Sequence, residues 1–373
     1  MTPDLDAALA EALRLRPELN GIPEKSGCER RTKARLVDYI KKATDLEIHD
    51  RGRWFYCAHR EGDGLGSVAL RADMDAVTGP DGQPYHGCGH DGHMSVMAAL
   101  AKWLSGRRVG KNVFFLFQHA EENGRGAAEC CGMLDDERID RIYGFHNCPG
   151  FKEGAAIILK KVFACASNGL IIKYDGLQSH AAYPDNGKNP IFPMAELFGR
   201  WGELTGEGLY RGMTLITPVG MTAGSESFGV AAGSGEIYLT LRAWYDDDLE
   251  KLERAVRELS SRCAEKYGVR VSFEERDGFA ATVNSPALCE SVVCAAERAG
   301  LECVFPDEPM RWSEDFGRYG RRTDAFMLGI GAGENAAGLH TADYRWNDAV
   351  SRAAIPLFIN ILTDDRQKNE SEK

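Results

Sequence analysis

The chain has 373 residues, 43% of them hydrophobic and 27% charged, with a formal net charge of −11. That length exceeds what one hydrophobic core usually organises, so two domains are expected. The acidic balance and the lack of any Lys/Arg-rich run exclude a nucleic-acid backbone or an anionic membrane as the main partner, which leaves small molecules.

The N-terminus, MTPDLDAALAEALRLRPEL, carries early acids and no signal-peptide apolar core, and no apolar run reaches the length of a membrane span. The expected location is therefore the cytoplasm. RRTKARLVDYIKKA follows as an amphipathic helix and SVALRADMDAV as a strand, and Met94, Met97, Ala98, Ala101 and Leu104 then fall at helical spacing. NVFFLFQHA is an apolar run of the kind a strand buried on both faces shows. From about Ser167 the pattern changes: GLIIKYDG, GEIYLTLRAWY and VRVSFEERD alternate as half-exposed antiparallel strands do. Between the last two lies a helix opened by Asp246, Asp247 and Asp248, apolar at Leu249, Leu252, Val256, Leu259 and Cys263, and closed near Gly268. A helix at ALCESVVCAAERAG and a strand at DAFMLGIG then restore the α/β pattern. The expected fold is α/β: a catalytic domain with a mostly parallel sheet flanked by helices, residues 1–166 and 279–373, interrupted at 167–278 by a smaller α+β domain with an antiparallel sheet. The tail DDRQKNESEK has the composition of a frayed end.

Eleven cysteines, Cys130 and Cys131 adjacent, follow no regular disulfide spacing, and in a reducing compartment most would be small buried hydrophobes. The stretch YHGCGHDGHM is different, with one cysteine, three histidines and an aspartate among glycines. Gly87, Gly89 and Gly92 would let the backbone bend closely around an ion. Four places offer ligands, each where a strand is expected to end: Cys88 with His90, Glu121 with Glu122, His146, and His340. Loops at the carboxyl ends of strands in an open α/β sheet can converge on one point. Five or six N, O and S ligands exceed what one structural zinc needs and suggest two divalent ions sharing a bridging ligand, Zn2+ or Mn2+, with Co2+ or Ni2+ as substitutes. Singly, a Glu-Glu pair or a lone histidine more often belongs to a solvated surface or a hydrogen-bonded core. On an extended segment, Glu121 and Glu122 would diverge, one to ligate and one to act as general base. A ligating Cys88 would be a shielded thiolate, so chelation should raise its alkylation.

RADMDA, HGCGHDGH, FQHAEENGRGA, GFHNCPG, SHAAYP, WSEDFG and GLHTADY, in that order over nearly the whole chain, resemble the metal-dependent amidohydrolases that include hippurate hydrolases, aminoacylases and the hydrolases of indole-acetyl amino acids. The resemblance implies a two-metal catalytic domain with an inserted lid and hydrolysis of N-acyl amino acids. It implies Cys88, His90, Glu122, His146 and His340 as metal ligands, Cys88 bridging, and Glu121 as general base. It also implies Asp75 as the acid orienting an imidazole ligand, and His180 and Arg242 as lid residues that meet the substrate, a small N-acyl amino acid or dipeptide. Lid closure about hinges near Ser167 and Phe279 and a homodimer through the lid are further implications. The chain departs from the family in its short VTGPDGQPY connection, in His119 where proline is common, in FGVAAGSGE in place of Asn-Val-Ile-Pro, and in the approach QSHAAYP. The alternatives are a dipeptidase or carboxypeptidase of the same fold, and a metal-binding homologue without turnover, against which the Glu121–Glu122 pair counts. No Cys-x-x-Cys pairing or basic face supports a zinc-finger transcription factor.

Overall fold

A computed structural model describes residues 3–206 and 208–364, so all but the first residue of the DDRQKNESEK tail lies outside the described residues. The chain divides into two compact units, one of Met1–Phe163, Thr282–Pro309 and Glu314–Lys373, the other of Ala164–Ala281 with Met310–Ser313.

The larger unit is built on a mixed eight-stranded sheet with the spatial order Glu47–Asp50, Phe55–His59, Asn112–Gln118, Ser67–Asp73, Arg141–Pro149, Asp324–Gly333, Ala156–Ile157 and Cys303–Val304. The four central strands are mutually parallel, and antiparallel pairs flank them. Because helices cover both faces, the central strands must be apolar on both sides, and Val113 to Phe117 are fully buried. The Arg30–Ala43 helix buries Leu36, Tyr39 and Ile40 at turn spacing. The buried helix expected from the Met94 spacing begins earlier, at His90, and runs to Leu104. Two helices carry little signal in the sequence. Pro3–Asn20 has Pro17 inside it, and Asp348–Leu362, capped by the Asn347 side chain, has Pro356 inside it.

The smaller unit is a four-stranded antiparallel sheet, ordered Thr214–Ala223, Ser234–Ala243, Ala166–Asp175, Arg270–Phe279, packed against the Asp246–Lys266 helix. Ile237, Leu239, Leu241 and Ala243 face that helix and are buried, while Glu236, Tyr238, Thr240 and Arg242 alternate with them. The helix returns Leu252, Val256, Leu259 and Cys263, all fully buried. Its end comes at Gly268, whose φ of +61° suits glycine. Among the described residues, no helix is long and apolar enough to cross a membrane.

Candidate metal centre

The parallel strands bring their carboxyl ends to one edge of the sheet, and the candidate ligands gather there by routes that differ in detail from a simple strand-end rule. His146 lies within its strand, not beyond it. Cys88 and His90 follow a short hairpin after the Ser67–Asp73 strand, with His90 in the first turn of the buried helix. His340 sits in the loop after Gly333 with a φ of +62°, and its backbone N–H donates to Gly87 O at 2.8 Å. Gly89 has a φ of +93°, and a Cβ there would lie 2.4 Å from Tyr344 Oη and 2.6 Å from Asn147 Oδ1. Gly92 has another reason than bending: it is helical, and its missing side chain makes room for the Trp346 ring.

Three overlapping triplets result: Cys88 with His90 and His146, Cys88 with Glu122 and His340, and His90 with Glu121 and Glu122, each with ligand atoms within 4.8 Å of one another. Cys88 Sγ is 3.5 Å from His146 Nε2, and the two Glu122 oxygens are 3.5 Å from His90 Nε2 and His340 Nε2. Outer partners set the ring directions. His90 Nδ1 donates to Asp75 O at 2.9 Å and lies 3.3 Å from Asp75 Oδ1, and His146 Nδ1 donates to Asn147 O at 2.9 Å. With Nδ1 so engaged, each Nε2 faces the cluster.

These residues fit a divalent cation. His90 Nε2 and Glu122 Oε1 are buried without a hydrogen bond, an arrangement that costs free energy unless something positive lies between them. Burial, with Glu122, Glu121 and Asp73 close by, pushes the Cys88 thiol well above its ordinary range. Burial alone would lower the His90 imidazole, yet Asp73, Asp75 and Glu122 outweigh it and lift it to about 10. The site therefore attracts positive charge strongly. His146 is held well below the usual histidine range by burial and by His93, which keeps its lone pair available.

Glu121 and Glu122 occupy a turn, not the extended segment expected: Ala120 has a φ of +52° and Gly124 N–H donates to Glu121 O at 2.8 Å. The turn still separates the two. Glu122 faces the histidines, whereas Glu121 is 5% exposed and accepts at Oε1 from Asp315 N–H at 3.2 Å. Burial, then Glu314, Glu122 and Asp315, raise the Glu121 carboxyl well above the usual carboxylate range. A carboxyl so placed holds a proton firmly.

Residues 69–363 match the model of peptidase family M20/M25/M40. The chain belongs to that family. As an M20 protein it is a metal-dependent hydrolase of amide bonds. An N-acetyldiaminopimelate deacetylase of Listeria monocytogenes serotype 4b is 26% identical over 368 residues, covering 95% of this chain and 98% of its own. A dinuclear metal binding peptidase of the M20 family from Bacillus subtilis shares the fold with a TM-score of 0.80 and 20% identity, covering 96% and 98% of the two chains. An aminobenzoyl-glutamate utilization protein of Klebsiella pneumoniae does so with a TM-score of 0.73 and 18% identity, covering 96% of each.

In this M20 chain the two other candidates lie in the smaller unit. His180 is exposed on a two-residue strand paired with Val230, and its Nδ1 accepts from Ala182 N–H at 3.0 Å. Arg242 is half-buried, and its Nη1 donates to Ser313 Oγ at 2.8 Å and to Arg311 O at 3.1 Å. Several partners escaped the sequence reading. Asp73 binds His93 Nδ1 at 2.8 Å and stands 3.5 Å from His90 Nε2. Glu29 Oε1 accepts from Ala120 N–H at 2.8 Å and so pins the turn before Glu121. Asp75 Oδ2 accepts from Glu122 N–H at 3.0 Å and from Ser26 Oγ at 2.6 Å. Asp73 and Asp315 were inside the quoted motifs RADMDA and WSEDFG, whereas nothing in the sequence marks Glu29.

Proposed function

We propose that the protein cleaves the amide bond of N-acyl amino acids in the cytoplasm, using two divalent ions, Zn2+ or Mn2+, held by Cys88, His90, Glu122, His146 and His340. The observation that supports this most directly is the split of the adjacent acids, Glu122 among the imidazoles and Glu121 buried beside them. Bound there, the ions would polarise the amide carbonyl and lower the pKa of water from 15.7 towards about 7. Glu121 takes a proton from the attacking water on a carboxylate oxygen and returns it to the departing amine nitrogen. Asp315 N–H holds Oε1 of that carboxylate, and Asp75 holds His90. His180 and Arg242 meet the amino-acid part of the substrate, Arg242 through the planar fork of its guanidinium, as the lid closes about hinges near Ser167 and Phe279.

The similarity to an N-acetyldiaminopimelate deacetylase favours a small acyl group on an amino acid that carries further polar groups. Incubation of metal-loaded protein with N-acetyl, N-benzoyl and longer N-acyl amino acids beside dipeptides, with the products identified, tests the reading. Release of acid and free amino acid from the acyl series is the expected result; turnover confined to dipeptides, or none, sinks it. Assembly into a homodimer through the smaller unit is supported by its outer strand, Thr214–Ala223, where Leu215, Val219 and Met221 are exposed. Val219→Lys should then yield a monomer by light scattering, and an unchanged mass would exclude that edge.

A further inference from the structure

Beneath the centre, the side chain of Arg71 is enclosed in the core of the larger unit, 2% exposed, on the strand that leads to Asp73. Its guanidinium makes four hydrogen bonds: Nη1 to Asp73 Oδ2 at 2.7 Å, Nη2 to Glu314 Oε1 and to Asp315 Oδ1, both at 2.9 Å, and Nε to Gln118 Oε1 at 2.9 Å. Gln118 Nε2 in turn donates to both Asp315 oxygens at 2.8 Å, and Ala127 N–H donates to Asp315 Oδ2 at 2.8 Å. A buried ion cluster is weak evidence of stability, since apolar residues of similar volume often do as well. What the fork adds is direction. One branch fixes Asp73, which orients His93 and stands beside His90 Nε2. The other fixes Asp315, whose backbone N–H is the donor to Glu121 Oε1.

We infer that Arg71 is a positioning residue for the reaction, one guanidinium that sets both the ligand side of the centre through Asp73 and the general-base side through Asp315. The role of Glu121 rests on the proposed function; the effect on the metal ligands does not. Nothing smaller or less planar reaches both carboxylates from that depth, which is why lysine is not an equivalent there.

Arg71→Ala leaves a guanidinium-shaped space, and rescue separates positioning from bulk. In folded Arg71→Ala, Zn2+ affinity measured by chelator competition should fall about 10- to 100-fold, and kcat at saturating metal by a similar factor with KM little changed, the usual scale for outer partners of a metal site. Millimolar methylguanidinium should restore both quantities, while urea, similar in shape but neutral, restores neither. Wild-type affinity and kcat in the variant, a loss that methylguanidinium does not repair, or equal repair by urea would each overturn the inference. If Arg71→Ala does not accumulate as folded protein, the isosteric Asp315→Asn serves: kcat should fall at least about tenfold with Zn2+ affinity retained, since it loosens the base side alone, and wild-type kcat there overturns the inference too. Should the wild-type protein hydrolyse no amide in the substrate panel, the functional reading fails, and the metal-affinity arm with its rescue still decides the role of Arg71.

Discussion

The two units treat their candidate functional side chains in opposite ways, the exposed His340 of the larger unit being the exception. In the larger one, Asp75, His90, Glu121 and His146 are buried, and each is oriented by a backbone or carboxylate partner. In the smaller one, His180 is exposed, and Arg242 keeps part of its surface while its bonds go to a serine hydroxyl and a backbone carbonyl. Groups that break a bond gain from being fixed in advance, because no reorganisation is then needed during the reaction. Groups that select among substrates gain from access and adjustment.

The sharpest way to break this contrast is Glu121→Gln. Turnover should fall about a hundredfold to ten-thousandfold, the scale of a general base, while metal content by mass spectrometry stays at the wild-type value. Near-normal turnover, or loss of the metal, would mean that the split between Glu121 and Glu122 has been misassigned.

In the smaller unit the effects should be milder and of another kind. Arg242→Met and His180→Ala should each lower kcat/KM by about tenfold to a hundredfold, the worth of one charge-assisted hydrogen bond, with metal affinity and melting temperature unchanged. A drop in metal affinity in either variant would contradict the division of labour.

Acid burial gives a third test, on metal-free protein. Burial, with Asp75 near, lifts the Glu29 carboxyl to about 7, and burial with Glu314 lifts Asp315 to about 7 even though Arg71 opposes it. Both bind protons more tightly folded than unfolded, so their contribution is complete below the unfolded values and is lost as pH rises through 7. The melting temperature should decline between about pH 4 and 7, and a rise over that interval would refute the assignment.

The smallest effect concerns Cys88. From the sequence, chelation is expected to raise the alkylation of Cys88, but burial and the neighbouring acids push the metal-free thiol well above its ordinary range. Iodoacetamide should therefore modify Cys88 slowly at neutral pH after chelation, well behind exposed Cys28, and faster only above the ordinary thiol range. Rapid labelling of Cys88 in folded metal-free protein near neutrality would show that the environment is not as apolar and acidic as described.

What the sequence disclosed and what it withheld follow one physical division. Alternation at Ile237 to Ala243 and the apolar run at Val113 to Phe117 report burial on one face or two, which is a local property, and those strands are where the pattern puts them. Ligand types crowded among glycines are also local, so Cys88 and His90 stood out. The turn at Ala120 to Gly124 was unreadable because a positive φ at alanine is imposed from a distance, by the Glu29 carboxylate. Arg71 passed unnoticed for the same reason, since its partners Glu314 and Asp315 lie far along the chain. Conversely, Gly92 was noticed for the wrong reason, its neighbour being Trp346 and not an ion.

The hydrogen bond from His340 N–H to Gly87 O closes the centre across most of the chain. During synthesis, ribosomes emit roughly 5–20 residues per second, so the segments carrying Cys88, His90, Glu122 and His146 leave the tunnel many seconds before His340 does. Contacts between residues so far apart in sequence form late, after the loop-closure cost has been met. On the proposed ligand set, the loop that carries His340 is therefore the last part of the centre to be made.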